Sequence, residues 1–65
     1  MKDYENTINS IQDLINSYRL ELEKNKKDII IYKQTGNEYM ITILETENNL
    51  YEKIIKRLET LWIQF

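Results

Sequence analysis

The chain has 65 residues, a hydrophobic fraction of 42%, and 9 Lys plus Arg against 11 Asp plus Glu, which gives a net charge of -2. It contains no cysteine and no histidine, so the disulfides and Cys/His zinc sites that stabilise many small domains are excluded. A chain of this length forms one domain and buries only about 60% of its unfolded surface, so we expect self-association to complete its stability.

Enzymatic activity is not expected from these residues. Histidine and cysteine are absent, Ser10 and Ser17 have no evident base, and the single glycine cannot form a glycine-rich phosphate loop. We therefore expect no catalytic site, no cofactor and no bound metal. The N-terminal MKDYENTINS lacks the apolar core of a signal peptide, and no run of 18 apolar residues exists, so a cytoplasmic protein without a membrane span is expected.

The first predicted element is a helix over about residues 3–34. Its apolar residues recur at alternating spacings of four and three, the heptad rhythm of a coiled-coil seam. The seam consists of Tyr4, Ile8, Ile11, Ile15, Tyr18, Leu22, Ile29 and Tyr32, with Asn25 as a polar interruption. One face of this helix should therefore pack against a partner helix.

The second predicted element is a turn at about residues 35–37, with Gly36 as its hinge. Tyr32 and Met40 are equivalent seam positions but lie eight residues apart, where an unbroken heptad repeat needs seven. Gly36 is the only glycine in a chain without proline, and it can adopt the left-handed conformation that ends a helix. Two caps for the next helix remain open: a capping box of Thr35 with Glu38, or Asn37 alone.

The third predicted element is a helix over about residues 38–64. Its predicted seam follows the same rhythm and consists of Met40, Leu44, Glu47, Tyr51, Ile54, Leu58, Leu61 and Phe65. Folding the chain about Gly36 makes the numbers of facing residues total 72 or 73, so that Asn25 faces Glu47 in a polar layer. The fold class is therefore an all-α, antiparallel two-helix hairpin, packed like a coiled coil, in a single domain over residues 1–65.

Helix two has more apolar surface than one partner helix can cover. Ile41, Ile55 and Trp62 flank its predicted seam on one side, while Ile43 and Leu50 flank it on the other. Such a wide face is typical of four-helix bundles, so we expect a homodimer of hairpins. The expected interface, for self-association or for another protein, comprises Ile30, Ile31, Ile41, Ile43, Leu50, Ile55, Trp62 and Phe65.

Charged residues form two stripes at seven-residue intervals. The basic stripe consists of Arg19, Lys26 and Lys33 on a flank of helix one, and the acidic stripe consists of Glu45, Glu52 and Glu59 on the outer face of helix two. The basic stripe could contact phosphates of a nucleic acid. Interleaved acidic residues and the lack of an aromatic platform favour a solvated flank instead.

In size and layout the predicted hairpin dimer resembles the Rop-like helical-hairpin dimers that bind RNA. No residue motif is shared, so the resemblance transfers no function, and the alternative of a Rop-like RNA- or DNA-binding regulator rests on the basic stripe. Our first hypothesis is a homodimeric regulator, inhibitor or assembly adaptor that binds a larger protein. A coding bias towards Ile, Asn, Lys and Glu without Ala or Val favours a phage- or plasmid-encoded protein of a low-GC bacterium. A membrane-surface helix pair anchored by Trp62 and Phe65 ranks last, because its apolar face has no strongly basic border.

Overall fold

The computed structural model describes the backbone of residues 2–64 and the side chains of residues 5–64. Helix α1 spans Lys2–Thr35 and helix α2 spans Glu38–Gln64. The two helices pack antiparallel along their length into a rod with extents of 52 × 14 × 12 Å. The predicted all-α helical hairpin is confirmed. Tyr4 and Phe65, which the sequence places on the seams, lie outside the described side chains.

Gly36 ends helix α1 in a left-handed conformation, with a φ of 72°. Its amide donates to the Lys33 carbonyl at 3.4 Å, and the Asn37 amide donates to the Tyr32 carbonyl at 2.9 Å. These two bonds are the pair that defines a Schellman motif, and they satisfy carbonyl groups that the end of the helix leaves free. The turn is therefore closed by backbone geometry that glycine adopts most easily.

Asn37 alone caps helix α2, which decides between the two caps that the sequence left open. Its side-chain Oδ1 accepts a hydrogen bond from the Met40 amide at 3.2 Å, three residues into the helix. Thr35 instead donates its hydroxyl to the Tyr32 carbonyl at 3.2 Å, at the end of α1. A capping box of Thr35 with Glu38 is therefore not formed.

The seam of helix α1 is buried where the heptad rhythm predicts. Ile11, Ile15, Leu22, Asn25 and Ile29 are each no more than 9% exposed. The remaining described seam positions of this helix, which are Ile8, Tyr18 and Tyr32, are half-buried. A tyrosine at the seam keeps its ring in the core and its hydroxyl near water.

The seam of helix α2 is rotated from the predicted one. Asn48 and Ile55 are buried, whereas Glu47 and Ile54, the predicted seam residues, are half-buried beside them. The predicted and observed seams share Leu44, Tyr51 and Leu58, and each predicted position between them is replaced by its neighbour. The seam that faces α1 consists of Ile41, Leu44, Asn48, Tyr51, Ile55, Leu58 and Trp62.

The cost of burying a charge explains this rotation. Both rows of α2 keep the spacing of four and three, but the predicted row would place the Glu47 carboxylate in the seam. A buried carboxylate loses far more hydration energy than a buried amide. The observed row buries the neutral amide of Asn48 instead and leaves Glu47 at the edge of the core.

A polar layer divides the apolar core into two blocks. Towards the open end, Ile11, Ile15, Leu22 and Ile55 form one cluster, against which Tyr18, Tyr51 and Leu58 pack. Towards the turn, Ile29 and Leu44 are buried on the other side of Asn25 and Asn48. The amides between the two blocks set how the helices align along the rod, as a polar layer does in coiled coils.

Candidate interaction surfaces

The polar layer joins three side chains from both helices. Asn25 Nδ2 donates to Asn48 Oδ1 at 3.0 Å and to Glu47 Oε1 at 3.1 Å. Asn25 and Asn48 are 5% and 9% exposed, so this amide pair is shielded from water. Two amides and one carboxylate are too few ligands for a hard cation. The layer is best understood as the feature that aligns the two helices, as a polar residue does in coiled coils.

The sequence prediction included Asn25 and Glu47 in this layer but missed Asn48. A signal for Asn48 was present, because Ile41, Ile55 and Trp62 form a row at seven-residue intervals that lacks only position 48. An apolar row with one asparagine is typical of a seam with a polar layer. The row containing Glu47 has the same appearance, and this is why the choice between the two rows was wrong.

Tyr18 and Tyr51 are in contact at the core edge above the polar layer. Their ring centroids are 5.5 Å apart, with an angle of 41° between the planes. Burial raises the pKa of the Tyr51 hydroxyl, and the nearby charges of Glu47 and Glu21 raise this pKa further. Glu21 of α1 and Glu47 of α2 therefore lie on the same side of the hairpin, next to one tyrosine.

The opposite side of the hairpin, which we call the charged side, brings the two charged stripes together. It consists of Arg19, Lys26 and Lys33 of α1 with Glu45, Glu52 and Glu59 of α2. Arg19 Nη2 lies 3.5 Å from Glu59 Oε2. Heptad spacing assigns Lys26 and Lys33 to the same flank as Arg19, and Glu52 and Glu45 to the same flank as Glu59, and all four are exposed. Glu59 of the acidic stripe therefore faces Arg19 of α1 and does not lie on the outer face predicted for it.

A small cleft opens on the charged side near the helix ends. It has a volume of about 140 Å³ and is lined by Gln12, Ile15, Asn16, Arg19, Glu59 and Trp62. Trp62 is 43% exposed there, although it continues the seam of α2. Arg19 and Glu59 are about half exposed, so their ion pair contributes little to stability.

The side that contains Glu21 and Glu47 carries a row of apolar side chains, and we call it the apolar side. Leu14, Leu50 and Leu61 are each 47–55% exposed on it, and Ile31 of α1 is 55% exposed. Heptad geometry assigns three further residues to this side, and all three are half-buried: Met40, Ile43 and Ile54. Seven apolar residues therefore follow one side of the rod, while the other side is charged.

The predicted interface residues fall into different environments. Ile30, Ile31, Leu50 and Trp62 are exposed. Ile41 and Ile43 are half-buried, and Phe65 lies outside the described residues. Ile55 is 7% exposed in the core between α1 and α2, so its assignment to an exterior interface is wrong. The rotation of α2 moved Ile55 inwards and moved Ile54 outwards.

Over residues 2–64, no helix is both long and apolar enough to cross a membrane. Within the same residues, no group of three or more acidic side chains is placed to hold a metal ion.

Comparison with protein-family models, curated proteins and solved structures found no match to this chain.

Proposed function

We propose that this chain is a small, non-enzymatic interaction protein, a homodimeric helical hairpin that binds a larger protein as a regulator, inhibitor or assembly adaptor. The observation that carries the proposal is the unequal distribution of apolar residues on the hairpin surface. Leu14, Leu50 and Leu61 follow one side with Ile31, whereas the other side carries the two charged stripes and the Arg19–Glu59 ion pair. Several exposed apolar side chains on one side of a small protein are typical of a protein interface.

The homodimer is supported by the small size of the core within one hairpin. Six apolar residues are buried in the described part of the chain, and none of them is less than 7% exposed. A two-helix rod of this size gains little from its single seam, and association over the apolar side would add a second one. The test is the solution mass from light scattering with size exclusion, over a hundredfold range of concentration. A dimeric mass is expected, and a monomer throughout would contradict the homodimer.

A surface for a larger protein remains at the turn end, off the apolar side. Ile30 is 59% exposed and Tyr39 is 76% exposed there. Aromatic and large aliphatic side chains of this kind are frequent anchors of protein interfaces. The expected partner is a protein with a small apolar pocket that takes one or both of these side chains.

Matched variants test this second interface in an extract of the organism that encodes the chain. Ile30→Ser with Tyr39→Ser should lose a protein that the wild type retains. Leu20→Ser, at a 70% exposed position away from the turn, should retain it. If no protein distinguishes these variants, the turn end is not the binding surface.

Nucleic-acid binding by the basic stripe is not proposed. Arg19 already faces Glu59 at 3.5 Å, and heptad spacing assigns Glu52 and Glu45 to the same side of the hairpin as Lys26 and Lys33. Carboxylates beside a basic stripe lower its attraction for phosphate. A gel shift that appears at low salt and weakens steeply with added salt would restore this alternative.

A further inference from the structure

We infer that the second copy covers the apolar side in the antiparallel orientation, with the turn end of one hairpin on the open end of the other. The two-fold axis then crosses the hairpin beside Leu50. This inference rests on the proposed homodimer and specifies its geometry. It is argued from the positions of the apolar and charged side chains along the rod.

The apolar side has a group of apolar residues at each end. The open-end block contains Leu14, Ile54 and Leu61, and the turn-end block contains Ile31, Ile43 and Met40. Asn25 faces Asn48, so residues that are level with each other across the seam have numbers that total 73. On this scale Leu61 is level with position 12 of α1, and Met40 is level with position 33. The midpoint lies between positions 22 and 23 of α1, level with Leu50 and Tyr51 of α2. A two-fold axis at this midpoint places Leu14 on Ile31 and Leu61 on Met40 of the second copy, whereas Ile54 lies opposite Glu47.

The charged residues between the blocks are complementary in this orientation. Helix α1 packs on α1 of the second copy, and residue numbers that face each other total 45. Leu14 then faces Ile31 of the second copy, and Glu21 faces Lys24, with both contacts repeated by symmetry. On α2, Leu50 meets its own copy at the axis. The Glu21 carboxylate of each protomer then faces the positively charged Lys24 of the other protomer.

The parallel orientation, with both turns at one end, gives a worse charge pattern. Helix α1 would then lie on α2 of the second copy at equal levels. Asp28 and Lys24 would each lie within two residues, or about 3 Å along the axis, of Glu47 of the second copy, so repulsion and attraction at Glu47 offset each other. Glu21 would face Ile54. The antiparallel dimer gains two Glu21–Lys24 pairs with no like-charge contact beside them, so it is favoured over the parallel dimer.

The apolar side is large enough for a stable dimer. Helix α2 has 27 residues and is therefore about 40 Å long. Two helices side by side are about 20 Å wide, which offers about 800 Å² on each copy. This area matches that of a standard protein interface.

Disulfide cross-linking tests the orientation, because the chain has no native cysteine. Leu50→Cys should form a cross-linked dimer with itself. Leu14→Cys should cross-link to Ile31→Cys in a mixture of the two proteins, but not to Leu61→Cys. In the antiparallel dimer two copies of position 14 are about 26 Å apart, beyond the reach of a disulfide. Circular dichroism checks that each variant keeps its helices.

A charge-reversal mixture provides an independent readout. Glu21→Lys and Lys24→Glu should each raise the dissociation constant of the homodimer by about tenfold. When the two variants are mixed, they should form a heterodimer in preference to either homodimer, because opposite charges then face each other. A purely structural effect of either substitution would not favour the heterodimer.

The outcomes separate this inference from the proposed function. Cross-linking of Leu14→Cys to Leu61→Cys, with none to Ile31→Cys, would overturn the antiparallel orientation and leave the homodimer intact. If the charge-reversal mixture forms heterodimers only in the proportion expected from random pairing, the antiparallel orientation is also overturned. A monomeric mass at every concentration would overturn the homodimer itself.

Discussion

Asn25 and Asn48 pair through their side-chain amides across the centre of the hairpin, with Asn25 Nδ2 3.0 Å from Asn48 Oδ1. Both residues are buried, and the parts of the core on either side of them contain no other buried polar residue among the described side chains. This pair sets the alignment of the two helices, because any slip of α2 would separate the amides and leave them without partners. Four predictions follow from this geometry and from the turn.

Asn25→Leu should lower the free energy of unfolding by about 1–3 kcal/mol, because the buried side-chain oxygen of Asn48, Oδ1, would lose its hydrogen-bond donor. Asn48→Leu should have a similar cost. The double variant should recover most of the loss, since it removes both polar groups together. Urea denaturation of the four proteins measures this coupling, and additive losses in the double variant would show that the pair is not coupled.

Ile55→Ala and Ile54→Ala test the rotation of α2 with the same chemical change at adjacent positions. Ile55 is 7% exposed in the core, so its truncation should cost about 2–5 kcal/mol. Ile54 is half-buried on the apolar side, so its truncation should cost under about 1 kcal/mol in the dissociated chain. Denaturation at concentrations where the protein is monomeric measures both values. A larger cost at Ile54 would support the seam first predicted from the sequence.

Gly36→Ala should destabilise the hairpin by about 1–2 kcal/mol, because a side chain at a φ of 72° strains the backbone. No atom lies within 4 Å of the position that a Cβ would occupy, so steric contact adds nothing to this cost. Gly36→Asn should lose less, since asparagine tolerates the left-handed conformation. Thermal unfolding of the two variants, compared with wild type, provides the ranking. Equal stability of the alanine and glycine proteins would mean that the turn relaxes to another conformation.

Tyr51 should make the hairpin less stable at high pH. Its pKa in the folded protein is raised above the value of about 10 expected in the unfolded chain, by burial and then by Glu47 and Glu21. The folded state therefore holds this proton more tightly, and its contribution to stability is present below about pH 10 and is lost as the pH rises through the folded pKa.

Tyr51→Phe should reduce this loss of stability above about pH 10 while keeping the ring against Tyr18. Urea denaturation between neutral and high pH measures the difference. Tyr39→Phe is the matched control, because its ring is 76% exposed. The same pH dependence in wild type and Tyr51→Phe would refute the role of this hydroxyl.

Much of the hairpin could be predicted from residue spacing, and the failures concern one helix. The α1 seam has a single apolar row, so Ile11, Ile15 and Leu22 could be assigned to the core without knowledge of the partner helix. Helix α2 has two adjacent rows with the same spacing, and they differ mainly in whether position 47 or position 48 faces inwards. Heptad spacing alone cannot distinguish them, because both rows satisfy it equally well.

The sequence by itself determined that the chain turns once, at Gly36, and that two amphipathic helices pack antiparallel. Local chemistry is sufficient for this, since one glycine breaks a heptad seam and only certain backbone angles close the turn. The tertiary structure decided which face of α2 packs on α1, because the Asn25 amide bonds a buried Asn48 while Glu47 stays at the edge. That choice also set the two sides of the hairpin. It turned the acidic stripe towards Arg19 and left Leu14, Leu50 and Leu61 on the other side, because rotating a helix moves every residue on its surface together.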